Sequence, residues 1–229
     1  MHIPDGYLSP RSAGALWLVS APLWALSLRA IRRGVRRGRV PLVALLAAFS
    51  FLVMMFNIPL PGGTTGHAVG AVLVAILVGP WAAITAVTLA LAVQALLFGD
   101  GGILALGANA FNMAVAMPLA GYAVFRLLKG AARPGDRRFA LAAAAGGYAG
   151  INVAALLAAV ELGLQPVLAH LADGTPLYCP FPLAVTIPAM MIPHLTVAGA
   201  AEATLTAGVV AFLGKHHAGL FDESEGAPT

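Results

Sequence analysis

Met1 and His2 are residue types that could chelate a small transition-metal ion. The α-amine of a free N-terminus, the amide nitrogen of His2 and its imidazole Nδ1 can take three corners of one square plane when the metal displaces the amide proton. His67 follows a glycine-rich run, 62–66, in which the backbone can approach a buried ion closely. We therefore predict that the metal ligands are Met1, His2 and His67. Four nitrogens in a plane suit Ni(II), Cu(II) and low-spin Co(II) better than Zn(II), which prefers a tetrahedron.

This chelate requires that Met1 keeps a free amine. Methionine aminopeptidase needs a small second residue, and His2 is not small. We expect the mature chain to begin at Met1.

Further polar residues could orient these ligands, because a metal-bound imidazole usually donates its second N–H group to an acceptor. The candidates are Asp5, Asn57, Thr64, Thr65, Asn109 and Asn112. The alternative is that asparagines within spans join helices by hydrogen bonds and threonines cap turns. Both interpretations stay open at the level of the sequence.

Glu202 is expected inside the last apolar segment, where an ionised carboxylate costs roughly 2.5–3.5 kcal/mol on insertion scales. His194 precedes it by about two helical turns, so both side chains would share one face of a helix. We predict that the two form a polar bridge that shapes the bundle or a coupling surface. A direct metal role is less favoured, because the four planar positions are already filled.

The composition predicts an integral membrane protein. Of the 229 residues, 60% are hydrophobic and 10% are charged, and the mean hydropathy is +0.89. Such values lie far from those of soluble domains. We expect one transmembrane metal-binding domain over 1–215 and a disordered cytoplasmic tail over 216–229. The single cysteine, Cys179, cannot form an internal disulfide.

Apolar runs between turn and charge breaks predict an all-α bundle of seven transmembrane helices. The spans are 13–30, 41–57, 67–79, 81–98, 104–127, 139–163 and 184–213. The third span is short and would place His67 at a helix N-terminus.

The basic residues predict the orientation of this bundle. Twelve of the 13 lysines and arginines lie at the ends of spans one, five and seven or in the segments that follow them, and seven crossings put these positions on one side. By the positive-inside rule that side is cytoplasmic, so the N-terminus and His67 lie outside and the C-terminus inside. The same placement explains the net charge of +4 without nucleic acid as a partner.

Several stretches of the chain resemble one known family, the nickel/cobalt substrate-specific subunits of energy-coupling-factor transporters, NikM/CbiM. They are the opening MHIPDGYLSP, Pro59–Gly70, Gln94–Gly102, Leu106–Asn109, and Pro193–Leu195 with Glu202. The resemblance implies that the N-terminus is inserted into the bundle and that Met1, His2 and His67 hold the metal. It also implies uptake across the prokaryotic inner (cell) membrane, with ATP hydrolysed by partners.

The partners implied by the resemblance are a transmembrane coupling subunit, two cytoplasmic ATPases and a small auxiliary membrane subunit. The chain has no phosphate-binding loop ending in Lys-Ser or Lys-Thr, so we expect that it does not itself hydrolyse ATP. We also expect that it is not an enzyme and that it has no organic cofactor. Ni(II) or Co(II) would be the transported substrate. Two alternatives are an ion-coupled secondary carrier for divalent metals and, with less support, a membrane metalloenzyme, for which no His-Glu-x-x-His pattern occurs.

Overall fold

The fold is a bundle of helices joined by short connections. The structure, a computed structural model, describes residues 1–34, 37–60 and 64–221, and the side chains of Thr64 and Thr65 lie outside this description. The helices are α1 (Pro10–Gly34), α2 (Val40–Met54), α3 (Ala71–Val78), α4 (Pro80–Val93), α5 (Leu106–Asn109), α6 (Met117–Lys129), α7 (Arg137–Gly163), α8 (Gln165–Leu168), α9 (Leu183–Pro193) and α10 (Gly199–His216). Strands β1 (Ile58–Leu60) and β2 (Thr64–Gly66) pair as a short antiparallel hairpin.

Three π-helical turns join helices or extend them. They are Gln94–Phe98 after α4, Ala110–Ala116 between α5 and α6, and His194–Ala198 between α9 and α10. Within the described residues, five continuous helical segments are long and apolar enough to cross a membrane: Pro10–Arg33, Pro80–Phe98, Leu106–Lys129, Arg137–Leu168 and Leu183–His216. The chain is therefore a multi-pass membrane protein.

The predicted second and third spans correspond to the shorter helices α2 and α3. Helix α2 is apolar and has 15 residues. Helix α3 has eight residues, which at 1.5 Å per residue extend about 12 Å, well short of a hydrocarbon core of about 30 Å. Seven full crossings stay a prediction.

The prediction that the third helix begins at His67 is wrong, because α3 begins at Ala71. Gly70 has a φ of 72°, which takes the chain out of helical geometry immediately before Ala71. Every residue from Ala71 to Leu77 is buried, and α3 packs against α4, α6, α7 and α10. A helix that is apolar on all sides belongs in the interior, so α3 is the central element of the bundle.

Glycines bring α6 and α7 into close contact. A Cβ atom at Gly146 would lie 2.6 Å from the carbonyl oxygen of Gly121, and one at Gly150 would lie 2.7 Å from that of Met117. Backbones this close require small residues, as in many membrane helix pairs.

The N-terminal segment lies over one end of the bundle, and its first residues are buried. Met1 is 6% exposed and Ile3 is 1% exposed. The Ser9 N–H group donates to Gln165 at 2.9 Å, and the Tyr7 carbonyl accepts from the Cys179 N–H group at 3.1 Å. These contacts fix the path of the segment before α1 begins.

At the other end of the chain, α10 ends at His216 and a short turn follows at Ala218–Leu220. This turn brings Phe221 edge-on against Phe139, with ring centroids 5.5 Å apart. The predicted tail over 216–229 therefore begins with an ordered turn, and its residues 222–229 lie outside the described part of the chain.

Candidate metal centre

Two buried imidazoles face one another at the N-terminal end of the bundle. Nδ1 of His2 and Nε2 of His67 are 3.1 Å apart, and the ring centroids are 4.8 Å apart with an interplanar angle of 28°. His2 belongs to the buried N-terminal segment, and His67 lies in the connection between β2 and α3. The fold thus brings together two of the predicted ligands from positions 65 residues apart.

The second nitrogen of each ring is already bonded. Nδ1 of His67 lies 3.1 Å from the carbonyl oxygen of Ala68, which can only accept, so Nδ1 carries the proton and Nε2 keeps a lone pair. Nε2 of His2 lies 3.2 Å from Oε1 of Gln94. With that oxygen accepting from His2, both facing nitrogens present lone pairs, which repel unless a cation lies between them. Partners on the far nitrogen are typical of imidazoles that bind metals.

The main chain next to His2 is held by Asn109. Its Oδ1 accepts from the Ile3 N–H group at 2.8 Å, and its Nδ2 donates to the Ile3 carbonyl at 3.0 Å. A Cβ atom at Gly101 would lie 3.1 Å from Asn109 Nδ2 and 3.3 Å from the His2 ring. Gly101 has a φ of 87°, so this position favours glycine in both space and backbone conformation.

Two aspartates lie beside the N-terminal segment. Asp5 accepts from the Ile103 and Ala105 N–H groups at 2.9 and 3.1 Å, so it fastens the segment to the loop before α5 rather than bonding to an imidazole. Oδ1 of Asp100 lies 3.5 Å from Nδ1 of His2. Asp100 and Gln94 were not predicted as site residues. The signal that could have found Asp100 is the run 99–102, Gly-Asp-Gly-Gly, directly after an apolar helix, and the signal for Gln94 is an amide side chain within that apolar segment.

The connection that carries His67 is held by Glu202, which is fully buried. Its carboxylate accepts from the Val69 N–H group at 2.7 Å and from the Gly70 N–H group at 3.1 Å. Ser50 donates to the Val69 carbonyl at 2.7 Å. This arrangement satisfies the backbone groups just before α3 and fixes the chain directly after His67.

The predicted bridge between His194 and Glu202 is replaced by two separate contacts. Nδ1 of His194 lies 2.7 Å from the Met190 carbonyl, while Glu202 bonds to the connection before α3. His194 is fully buried, and its Nε2 has no hydrogen-bond partner among the described residues. The π-helical turn that begins at His194 packs against β2.

The remaining candidates lie in three different settings. Nδ2 of Asn112 donates to Glu161 at 2.8 Å, so the side chain joins two helices. Asn57 is exposed. The side chains of Thr64 and Thr65 lie outside the described part of the chain.

Burial favours the uncharged forms of the nitrogen donors at the N-terminus. It lowers the pKa of the Met1 α-amine to about 6, an effect that the nearby Asp100 carboxylate partly opposes. Burial also lowers the pKa of His2 to about 4, and the adjacent amine adds to the effect, while Asp100 and Gln94 oppose it. Donors that have already lost their protons are ready to bind a cation.

A metal centre made only of side chains is not formed here. Within the described residues, no group of three or more His, Cys, Asp and Glu side chains is placed to hold a metal ion. A centre at His2 and His67 would need main-chain nitrogens as well.

The long apolar helices define a multi-pass membrane protein. The two buried imidazoles that face each other define its candidate transition-metal centre. The chain belongs to the CbiM family: residues 2–220 match the family described as "Cobalt uptake substrate-specific transmembrane region". The resemblance predicted from the motifs is confirmed.

Named relatives and a solved structure agree with this assignment. The chain is 54% identical over 213 residues to the "Fused nickel transport protein NikMN" of Rhodobacter capsulatus, covering 93% of this chain and 61% of the relative. It is 38% identical over 218 residues to the "Cobalt transport protein CbiM" of Geobacter sulfurreducens, covering 93% and 59%. A transition-metal transporter crystal structure, described as truncated, superposes with a TM-score of 0.90 at 52% identity and covers 95% of this chain and 100% of that one.

These relatives are metal transport proteins rather than enzymes, and they are named for nickel or for cobalt. The chain spans about three fifths of the length of the fused nickel relative. Together with the apolar helices, the match places the chain in a family of multi-pass membrane proteins described by cobalt uptake.

Proposed function

We propose that this chain is the substrate-binding membrane subunit of an ATP-driven energy-coupling-factor importer for Ni(II) or Co(II). The observation that carries the proposal is the 3.1 Å approach of His2 Nδ1 to His67 Nε2 beside the buried N-terminus. Family membership supports the same substrate class.

The ion binds four nitrogens in a plane: the α-amine of Met1, the amide and Nδ1 of His2, and Nε2 of His67. The first two donors close a five-membered ring with the metal, and the amide and Nδ1 close a six-membered ring. Gln94 and Ala68 hold the far nitrogens of the two imidazoles and so aim the near ones.

Geometry gives this centre its selectivity. Zn(II) gains little from a flat site, whereas a low-spin d⁸ ion gains most, so nickel is favoured over cobalt. Cu(II) also fits a square plane and is excluded by its availability in the cell.

The chain works with partners that supply the energy. In this proposal it crosses the prokaryotic inner membrane seven times, with the N-terminus and the centre near the outside and the C-terminus in the cytoplasm. A coupling subunit and two ATPases drive release inward by distorting the planar site, and a small auxiliary membrane subunit assists. The support is the resemblance of the motifs and the arrangement of the basic residues.

His2→Gln tests the amino-terminal chelate. The substitution removes the imidazole donor, and glutamine is not small, so methionine aminopeptidase leaves Met1 in place. Nickel and cobalt binding to the purified protein is measured by titration calorimetry, together with the visible absorption of bound Ni(II). We expect His2→Gln to abolish tight binding and the planar Ni(II) spectrum. Unchanged binding would mean that the metal is held elsewhere.

A further inference from the structure

Asp100 is an acidic group in contact with a proposed metal ligand, and it reaches solvent. Its side chain is 29% exposed, whereas that of His2, 3.5 Å away, is 6% exposed. His67 and Gln94, the other described contacts of the His2 ring, are almost fully buried. The carboxylate therefore lies between the solvent and the buried nitrogens.

The loop that carries Asp100 is fixed to the N-terminal segment. The Asp100 N–H group donates to the Gln94 carbonyl at 3.1 Å, and the Gly102 N–H group donates to the Ile3 carbonyl at 3.0 Å. Gly99 and Gly101 on either side have φ angles of 67° and 87°, which let the chain turn sharply at the aspartate. The position of the carboxylate relative to His2 is thus set by backbone hydrogen bonds.

One ion can contact the carboxylate and the imidazole at the same time. Bonds from a first-row divalent cation to oxygen and nitrogen ligands are each about 2.1 Å, so two of them reach about 4.2 Å, more than the 3.5 Å between Asp100 Oδ1 and His2 Nδ1. The ion can therefore pass from Asp100 to His2 without first dissociating from the protein. The negative charge of the carboxylate also attracts a hydrated cation to this position.

We propose that Asp100 is an entry ligand of this centre: its carboxylate takes a hydrated divalent cation from outside and passes it to Nδ1 of His2. The proposal rests on the proposed function of metal capture at Met1, His2 and His67. The carboxylate displaces one water molecule from the hydrated ion, and Nδ1 of His2 displaces a second. The Met1 amine, the His2 amide and Nε2 of His67 then displace the carboxylate and the remaining waters, so the ion goes from six ligands to four and the amide proton leaves to solvent. Asp100 is absent from the final four-nitrogen plane.

A transient ligand has a distinctive kinetic signature. It lowers the barrier between the free and the bound ion, so it speeds entry and exit together and changes the equilibrium affinity little. A permanent ligand or a merely structural residue acts on the affinity instead. The two roles are separated by measuring both rates.

The test is stopped-flow association of Ni(II) with the purified full-length protein, followed by dissociation into excess chelator. Asp100→Asn removes the charge in the same shape, and Asp173→Asn is the matched control, because Asp173 is a solvent-exposed loop carboxylate that accepts from the Thr175 N–H group. We expect Asp100→Asn to slow both rates about tenfold or more, a size within the range of steering by charge. Its affinity should stay within about threefold of wild type and its Ni(II) spectrum unchanged, and Asp173→Asn should match wild type.

Three results would overturn the entry role. They are an unchanged association rate in Asp100→Asn, a loss of affinity that arises from faster dissociation alone, and a changed Ni(II) spectrum, which would make Asp100 a permanent ligand. Asp100→Glu keeps a carboxylate and should restore part of the association rate, which keeps the test valid if Asp100→Asn folds poorly. Absence of the planar spectrum in the wild-type protein would instead refute the proposed function.

Discussion

His67 shows how one backbone contact determines the chemistry of a histidine. The Ala68 carbonyl can only accept, so the proton stays on Nδ1 and the lone pair of Nε2 faces His2. His194 is held in the same way by the Met190 carbonyl, but its Nε2 meets no partner among the described residues. The two buried histidines therefore have the same tautomer. They differ in that Nε2 of His67 faces His2, whereas Nε2 of His194 has no hydrogen-bond partner among the described residues.

The protons released by metal binding can be counted. At pH 7.5 an amine with an ordinary pKa of 8.0 would be about 80% protonated, but the Met1 amine, with its pKa lowered to about 6, is almost fully neutral. Binding must still displace the His2 amide proton. We expect about one proton released per ion, against about two for an ordinary amine.

Titration calorimetry in buffers of different ionisation enthalpy measures this number. The sign follows from the direction of the shifts: lowered pKa values leave the donors free of protons at neutral pH, and protons compete only when the pH falls through about 6. Release of two protons at pH 7.5 would show that the free amine is not buried as described.

Asn109 positions the chelate through the main chain of Ile3. Asn109→Ala removes both of its hydrogen bonds to the main chain of the buried Ile3. We expect nickel affinity to fall about 10- to 100-fold, as for other residues that orient metal ligands. Asn57→Ala is the control, because Asn57 is exposed, and equal losses in both variants would contradict a positioning role for Asn109.

Part of the site could be predicted from residue types alone. Chelation by an N-terminal Xaa-His pair depends on covalent connectivity, so Met1 and His2 could be proposed as ligands without knowledge of the fold. Asp5 and Asp100 could not be assigned, because one bonds to the backbone of a loop and the other approaches His2 only through the path of that loop. Such roles depend on tertiary structure that residue spacing does not contain.

At the scale of elements, the connection between β2 and α3 is the part that positions His67. The sequence predicted a helix from His67 onward because apolar residues continue through the segment. The chain instead stays non-helical to Gly70, since Glu202 from α10 satisfies the two N–H groups before α3. A distant carboxylate that competes for backbone donors leaves no mark in local hydrophobicity.

Glu202→Gln should disturb this connection. An amide has one accepting oxygen where the carboxylate has two, so its nitrogen would face a backbone donor. We expect nickel affinity to fall about tenfold or more, because the cost of an unsatisfied buried group, about 1–3 kcal/mol, falls on the segment that carries His67.

Glu161→Gln is the matched control for this variant. Glu161 accepts from the side-chain amide of Asn112, and a glutamine oxygen can accept the same bond. Equilibrium binding and the Ni(II) spectrum of both variants are compared with wild type. A Glu202→Gln protein that unfolds more easily but binds nickel with unchanged affinity would show that Glu202 supports the bundle and not the ligand.

At the scale of the whole molecule, hydropathy predicted where the helices lie along the chain but not how deeply each one is buried. Each predicted span overlaps a helix, because apolar length is a property of composition. The depth of α3 could not be predicted in this way: its apolar residues face other helices rather than lipid, and hydropathy does not distinguish the two.

The arrangement of charges makes the orientation testable. If the chain crosses the membrane seven times, Ala172 and Ala218 lie on opposite sides, and both are exposed in the structure. We expect Ala172→Cys, in a Cys179→Ser background, to react with an impermeant maleimide added to intact spheroplasts. Ala218→Cys should react only after the membrane is permeabilised. Cys179 is buried, so its removal clears the background at little cost. Labelling of both cysteines from outside would require an even number of crossings between them and would place Lys215 outside, against the positive-inside rule. The reverse pattern, with Ala218→Cys labelled from outside and Ala172→Cys only after permeabilisation, would place the arginine-rich loops outside. Because the candidate centre shares its side with Ala172 in the proposed topology, that pattern would also make capture from outside incompatible with the position of Met1, His2 and His67.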